Sequence, residues 1–428
     1  MTRAGARLRY SPQRATTGDV MSRRTGPHRL ALSATALLAL CGCYRSFLRE
    51  VPVDAAPGSD AAACVAPAPT CIAPGPDACA SPVIVAPRCD LETRTYACPA
   101  GSRMHVRETP ATDCLPFSDP ALGLSSVGSS LVRFPTPDGR CLWVAEAVTA
   151  ADGRELSNVA FEPPLDLPFG RCPTTATPLG GSLRSVVMLE GDDGLHLVQL
   201  AGGFVRGGET SVVYRLFVYD ASGGFGVREL GTGLANWDAD RETVVVPAES
   251  GLLWPPEIDL GDAVFVEGDT TFLWGCPPPI ADLVERCLVA RVDGGAASYW
   301  VAGGWTPMWS GERTGFDAGP WLSSVTRLDV GYVAITTIGF GSHLRAARAT
   351  SLTGDWSAAT NVAPCRLPLG DDAAYCAGPV VHDELRDPLR PRELPVTYGI
   401  GTTAVDGAAR RAARPRDYWA RFDWVSVR

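Results

Sequence analysis

The sequence predicts an all-β protein whose main domain is a five-bladed β-propeller. An apolar, β-branched run, a polar turn and a second apolar run follow one another five times in the last three quarters of the chain. The copies begin 55, 78, 61 and 55 residues apart, at Ser129, Arg184, Asp262, Ser323 and Gly378. Strand repeats of this length are typical of propellers with one blade per repeat.

A second set of strand pairs lies between these copies and completes four-stranded blades. The pairs read VYRLFVYDASGGFGVREL, CLVARVDGGAASYWVAGG and HLRAARATSLTGDWSAAT, from Val213, Cys287 and His343. Their turns contain Gly or Asp, and glycine accepts the positive φ that tight hairpin turns need. The terminal DYWARFDWVSVR has a strand pattern, and we expect it to complete the last blade.

Residues 1–43 are predicted to be a lipoprotein signal peptide, with Met21 as the expected start. A basic stretch precedes the apolar segment 30–40, which is too short to span a bilayer as a helix. The segment ends in LCGC, which resembles a bacterial lipobox with Cys43 as the lipidated residue. An ordinary cleaved signal without lipid is the alternative. Tyr44 after the lipobox favours the outer membrane, at its periplasmic or surface face.

Three further regions follow the signal peptide. Residues 44–85 are rich in Ala and Pro and have the composition of a linker. Residues 86–118 are predicted to be a small disulfide-stapled module, because so short a segment cannot bury a self-sufficient core. Residues 119–428 are long enough to form the propeller.

The cysteine count indicates an oxidising compartment. Of the 14 cysteines, 12 remain when Cys41 is removed with the signal and Cys43 carries lipid. Six lie within residues 64–114, and no C-x-x-C spacing occurs, which argues against zinc ribbons and redox motifs. Six disulfides in an exported protein is the simplest interpretation. The others form close pairs along the chain: Cys141 with Cys172, Cys276 with Cys287, and Cys365 with Cys376.

Composition excludes several functions. All 38 basic residues are arginine, so neither a Walker A lysine nor a pyridoxal Schiff base can be present. The net charge of −9 argues against a nucleic-acid partner. Five histidines without H-x-H or H-E-x-x-H spacing give no metal motif. We therefore expect no cofactor, no metal, no nucleotide and no nucleic acid.

Several motifs of the chain resemble a known family of propellers. The segments DGRCLWVAEA, ELSNVAF, WGC followed by CLVARV, ATSLTGDWS, and VVHDELRDPLRPRELPVTYG are similar, in this order, to motifs of domain-of-unknown-function family 4185. The architecture is that of the five-bladed propellers of glycoside hydrolase family 43. The resemblance covers most of residues 119–428 and implies a function at the end of the central channel.

In hydrolases of this architecture three carboxylates reach the central cavity. The resemblance places their blade-one position near Ser129 and Ser130, their blade-two position near Ser185, and their Glu-Gly-Pro position closest to Asp317. Two or three of these acids are therefore missing or replaced.

The polar residues that match the family motifs best are Glu146, His382 and Glu384. Glu146, Asp317 and Glu384 are the candidate catalytic residues, and His382 is a candidate ligand contact. The alternative is that they are solvated turn residues or hydrogen-bond partners between blades.

A tryptophan-rich stretch supplies candidate sugar contacts. Trp305 and Trp309 lie in a Gly- and Pro-containing loop, with Arg313 nearby to bond hydroxyl groups. Indole faces stack on the apolar C–H surface of sugars, although the same side chains commonly pack between strands.

These observations favour an envelope lipoprotein whose propeller binds a glycan or a protein without catalysis. One alternative is a glycosidase acting on a polysaccharide with rearranged carboxylates, whose acids must lie close together around a cavity. Another is a scaffold for an envelope complex, which would expose a large apolar patch. The expected partners are a polysaccharide or an envelope protein, and the membrane through the N-terminal lipid.

Overall fold

The computed structural model describes most of the chain from residue 64 onward. The described residues are 64, 67–90, 92–128, 131–191, 195–220, 227–247, 251–276, 287–293, 296–301, 303–310, 321–337 and 339–428. They belong to one compact unit, Ser59–Arg428. The predicted signal peptide with Cys43, and the candidates Arg313 and Asp317, lie outside the described residues.

The N-terminal part of the described chain forms short strands. These are β1 (Cys71–Ala73), β2 (Val83–Val85), β3 (Arg88–Asp90), β4 (Thr95–Ala97) and β5 (Arg103–Met104). They form a sheet of order β2-β1-β5 and the hairpin β3–β4. Because β1 and β2 precede residue 86 and β5 follows it, the boundary drawn between linker and module crosses one sheet.

Five further sheets form the blades of a propeller. Blade 1 contains β6 (Leu124–Val127), β7 (Leu131–Pro135), β8 (Cys141–Ala150), β9 (Glu155–Glu162) and β10 (Thr177–Pro178). Blade 2 contains β11 (Val187–Leu189), β12 (His196–Arg206), β13 (Glu209–Tyr219), β14 (Val227–Asp238), β15 (Thr243–Val246) and β16 (Leu252–Trp254). Blade 3 contains β17 (Leu260–Glu267), β18 (Thr270–Gly275), β19 (Leu288–Asp293), β20 (Ala296–Val301) and β21 (Gly304–Thr306).

The last two blades contain fewer strands. Blade 4 contains β22 (Trp321–Leu328), β23 (Gly331–Thr337), β24 (His343–Ala349) and β25 (Thr360–Pro364). Blade 5 contains β26 (Ala374–Val381), β27 (Glu393–Thr402) and β28 (Arg421–Ser426), with helix α1 (Gly407–Ala413) between the last two. Short 3-10 helices cover Pro120–Leu122, Leu179–Gly181, Asp383–Leu385 and Pro415–Tyr418. Among the described helices none is long and apolar enough to cross a bilayer.

The innermost strands β7, β12, β17, β22 and β26 contact one another in succession, and β26 returns to β7, which closes the ring. Five hydrophobic clusters fill the interfaces between neighbouring blades. The residues that alternate along each strand therefore face two different neighbours. The five-bladed, all-β architecture predicted from the repeats is confirmed.

One predicted inner strand is misplaced. The apolar run after Arg184 was expected to open blade 2, but Val187–Leu189 (β11) pairs in parallel with β15 at the outer edge of that blade. The innermost strand is instead β12, which forms a long antiparallel hairpin with β13. Ser185, expected near the axis, contacts Ser157 at an exposed position. The segments of β11 and β12 are both apolar, so the local pattern alone did not distinguish the inner strand from the outer one.

Six disulfides use all twelve described cysteines, and two of them correct the sequence pairing. Cys276–Cys287 and Cys365–Cys376 form as expected from proximity. Cys141 and Cys172 do not pair with each other: Cys141 bonds Cys79 and Cys172 bonds Cys114. Both bonds fasten the N-terminal segment to blade 1, because that segment packs on the propeller. The other two are Cys64–Cys89 and Cys71–Cys98.

Candidate functional site in the axial cavity

A cavity of about 270 Å³ lies on the axis, where the innermost strands begin. Blades 1, 2, 3 and 5 contribute to its lining, including Glu146, Gln199, Arg215, Asp262 and Tyr375. Val132, Leu200, Val380 and Ile400 form its apolar walls. The cavity thus combines apolar surface with a few convergent polar groups, as ligand sites commonly do.

Glu146 reaches this cavity from β8 at an irregular point in the strand. Strands β6 and β7 pair with β8 on either side of this point, and Ala147 has a φ of 51°. The Glu146 carboxylate accepts a hydrogen bond of 2.8 Å from the backbone N–H of Leu200 in blade 2. Burial raises the pKa of Glu146 to about 7, because it outweighs this hydrogen bond, which lowers the pKa. A substantial fraction of Glu146 is therefore protonated at neutral pH.

Arg215 of β13 is the centre of a buried charge cluster beside the same cavity. Its guanidinium lies 2.6 Å from Glu229 and 2.5 Å from Asp259, and it donates to Asp262 at 3.0 Å. Asp262 also accepts the backbone N–H of Cys276 at 2.6 Å. The Cys276–Cys287 disulfide lies at the end of β18, where that N–H is presented.

One guanidinium cannot neutralise three buried carboxylates, and the pKa values reflect this. Burial raises the pKa of Asp262 to about 6, although Arg215 and the Cys276 N–H oppose the rise. Burial and repulsion from Asp262 raise the pKa of Asp259 well above its usual range. The cluster therefore gains protons under mildly acidic conditions, while Asp262 remains largely ionised at neutral pH.

Sequence analysis missed Arg215, Asp259, Asp262 and Glu229. The sequence did contain a signal for Arg215, which interrupts the apolar run VVYRLFVY in the middle strand of a blade. A charged side chain inside such a run needs a buried partner. Asp262 opens the third repeat, but nothing in the repeat pattern distinguished it from a turn residue.

His382 and Glu384 lie elsewhere, between blades 1 and 5. Glu384 accepts hydrogen bonds from Trp143 at 2.6 Å and Arg133 at 2.9 Å, and Nδ1 of His382 lies 3.0 Å from the same carboxylate. His382 also contacts Thr397 at 2.7 Å and is fully buried. These contacts join the two blades.

The electrostatics of Glu384 do not suit a proton donor. Burial alone would raise its pKa, but Arg133 and His382 lower the pKa to about 2. Burial also lowers the pKa of His382, so the ring is neutral. The predicted convergence of Glu146 with Glu384 is not observed: Glu384 lines a second cavity, beneath the N-terminal segment. Glu384 follows the end of β26, whereas the axial cavity lies where β26 begins.

Trp305 and Trp309 are not among the residues that line the axial cavity. Trp305 lies in β21, the outermost strand of blade 3, where its ring packs on Trp300 at 5.3 Å and under Arg291 at 4.9 Å. Trp309 packs against the cluster between blades 2 and 3. Within the residues that the structure describes, no group of three His, Cys, Asp or Glu is arranged to hold a metal.

Comparison with solved structures shows the fold. A crystal structure of a "putative hydrolase" from Bacteroides ovatus aligns with a TM-score of 0.53 at 15% identity, covering 71% of this chain and 86% of that one. A family 43 enzyme from Xanthomonas citri gives a TM-score of 0.39 at 12% identity, covering 70% and 88%. A family 43 β-1,3-galactosidase with bound galactodeoxynojirimycin gives 0.37 at 12%, covering 70% and 95%.

No protein-family model matches the chain, and no curated protein does. At these identities the likeness concerns the fold and leaves the chemistry to the site. The chain is a five-bladed β-propeller.

Proposed function

We propose that the protein binds a glycan with its axial cavity. The observation that carries this proposal is the lining of the cavity, in which Arg215 and Asp262, together with Gln199, offer donors and acceptors beside apolar walls. Sugars present both hydroxyl groups and apolar C–H faces, so they match such a surface. The resemblance of the sequence motifs to propellers of glycoside hydrolase family 43 supports the proposal by analogy.

One observation favours hydrolysis as a second candidate function. Glycoside hydrolysis needs a carboxylic acid that protonates the leaving oxygen and a carboxylate that activates water or attacks the sugar. Glu146 has a pKa near 7 and Asp262 a pKa near 6, and both line one cavity. Pairs of acids whose environments separate their pKa values mark such sites. We assign the acid to Glu146 and the base or nucleophile to Asp262, in place of Asp317 and Glu384.

The proposals are tested with the whole chain carrying Cys43→Ser and exported to an oxidising compartment. Retention on a broad polysaccharide panel and released reducing ends are measured in the same wells. Retention that is lost in Arg215→Gln, but kept in the surface control Arg154→Gln, supports binding in the cavity. Retention that is unaffected by Arg215→Gln contradicts the proposed site.

Released reducing ends would establish hydrolysis. Activity is then expected between pH about 6 and about 7, because Asp262 must be ionised while Glu146 remains protonated. Glu146→Gln is expected to abolish the release and Glu162→Gln, a half-exposed residue of the same blade, to leave it unchanged. Retention without release at every pH would leave the binding function and remove the catalytic one.

We further propose that the chain is an outer-membrane lipoprotein anchored through Cys43 and related to family 4185. The six disulfides support export, since such bonds persist in oxidising compartments. A lipid chain at Cys43 would provide the anchor. Membrane fractionation tests this: Cys43→Ser should move the protein to the soluble fraction, and an unchanged distribution would contradict the anchor.

A further inference from the structure

The hairpin β12–β13 of blade 2 extends beyond the axial cavity and continues its wall. Gln199 pairs with Arg215 in this hairpin, and both line the cavity. Toward the open end of the hairpin the next pair on the same face is Leu197 with Phe217, because side chains two residues apart share a face. The following pair is Leu195 with Tyr219, whose N–H donates to the Leu195 carbonyl at 2.9 Å.

These four residues, Leu195, Leu197, Phe217 and Tyr219, are here called the hairpin wall. Tyr219 is 56% exposed, Leu195 55% and Leu197 39%, which is unusual for large apolar side chains that adjoin one another. Phe217 is half-buried beneath the Arg215 guanidinium, which lies 5.3 Å from its ring centroid. The wall is therefore continuous with the polar cluster of the cavity and differs from it in being apolar.

The size of the cavity indicates which part of a ligand would contact the hairpin wall. At about 270 Å³ the cavity is at the lower limit of ligand-binding pockets. It can hold the end of a glycan but only a short part of a longer chain. The units that follow must extend out of the cavity, and the hairpin wall adjoins Gln199 and Arg215 of its lining.

We propose that the hairpin wall binds the sugar units next to the one held in the cavity, so that the protein selects oligosaccharides over free monosaccharides. This inference rests on the proposed glycan-binding function. The ring of Tyr219 and the side chain of Leu197 provide an apolar surface for the C–H faces of these sugars. Arg215 and Gln199, below them, provide hydrogen bonds to the terminal unit.

The experiment compares ligands of different length. Calorimetry measures the Kd of xylose, arabinose and galactose and of their linear oligosaccharides of two to five units, with the exported whole chain carrying Cys43→Ser. The wild-type protein is expected to bind the oligosaccharides about tenfold or more tightly than the monosaccharides. Tyr219→Ala is expected to lower the affinity for the oligosaccharides about tenfold and to leave the Kd of the monosaccharides unchanged. Tyr219→Phe keeps the ring and is expected to bind the oligosaccharides as the wild type does.

A matched control is available at the opposite end of the blades. Val330 lies in the turn between β22 and β23 and is 60% exposed, so Val330→Ser removes a comparable apolar group far from the cavity. Equal affinity of long and short probes, or an unchanged Kd in Tyr219→Ala and Leu197→Ser, would overturn the inference while the cavity function stands. Wild-type protein that binds none of the probes would overturn the glycan-binding function itself.

Discussion

Glu146 shows how a propeller gives one side chain an environment that its local sequence does not indicate. It follows the apolar run LWVA, and the family resemblance marks it as a candidate site residue without indicating how far its carboxyl group is buried. Closure of the ring places the Leu200 N–H against its carboxylate and partly buries the side chain. The resulting pKa of about 7 makes it the group of the cavity most sensitive to neutral pH.

The stability of the protein is expected to depend on Glu146. Its pKa is raised in the folded state from 4.5 to about 7, so between these values the folded state binds a proton that the unfolded state has lost. The free energy of unfolding therefore decreases as the pH rises through this window, by at most about 3 kcal/mol, and by less because the side chain is only half-buried.

Urea unfolding at pH 4.5 and at pH 8 measures this effect. Glu146→Gln should reduce the difference between the two pH values, because the amide does not titrate, whereas Glu162→Gln should leave it as in the wild type. A pH dependence identical in wild type and Glu146→Gln would show that the carboxyl group is not perturbed.

At the level of strands and hairpins, the disulfides differ in what they hold. Cys79–Cys141 joins the N-terminal segment to β8 across 62 residues, whereas Cys276–Cys287 closes 11 residues at the end of β18. A longer closed loop restricts the unfolded chain more, and the model for loop entropy gives a difference of about 1.5 kcal/mol between the two. The shorter bridge holds the backbone whose N–H bonds Asp262.

Replacing each pair by alanine separates these roles. Cys79→Ala with Cys141→Ala should lower the free energy of unfolding more than Cys276→Ala with Cys287→Ala, as measured by urea titration. The second pair should instead weaken glycan retention, since Asp262 loses its backbone support. The reverse order of stabilities would contradict the loop-entropy argument.

In the whole molecule, the N-terminal segment stabilises the place where the ring closes. Phe117 is fully buried and contacts Phe161 at 4.5 Å and Trp143 at 5.6 Å between ring centroids, in the interface of blades 1 and 5. Arg107 pairs with Asp387 at 2.9 Å, so the same segment also contacts blade 5. Through Phe117 the segment 86–118 thus packs into the interface between blades 1 and 5.

Removing the Phe117 ring is expected to destabilise the whole propeller. Phe117→Ala leaves a cavity between two blades and should lower the free energy of unfolding by about 3–5 kcal/mol. Met104→Ala, in the same segment but 60% exposed, should change it by less than about 0.5 kcal/mol. Equal effects of the two substitutions would show that the segment does not support the closure of the ring.

The sequence was sufficient for the blades other than blade 2 because the apolar alternation and the turn residues of a hairpin are local features; in blade 2 the inner strand is β12 and not the predicted run. In β17–β18 and β22–β23 the apolar residues and a short turn lie close together in sequence, whereas residues 382–392 connect β26 with β27. Each of these hairpins forms where the repeats predict it. Gly331, at the start of β23 in blade 4, has a φ of 131°, and a Cβ there would lie 2.3 Å from the Ala349 carbonyl oxygen of β24. The backbone conformation and this close approach both require glycine.

The site depended on contacts that no local pattern contains. Arg215 and Asp262 are 47 residues apart, and Trp143 and Glu384 are 241 apart, yet each pair is hydrogen-bonded. Local alternation shows which residues face inward, but the packing of blades around the ring decides which inward residues meet and how far water is excluded. Burial raises the pKa of Glu146, whereas Arg133 and His382 lower the pKa of Glu384, so the first is an acid that holds its proton in the cavity and the second is part of an ion pair between blades.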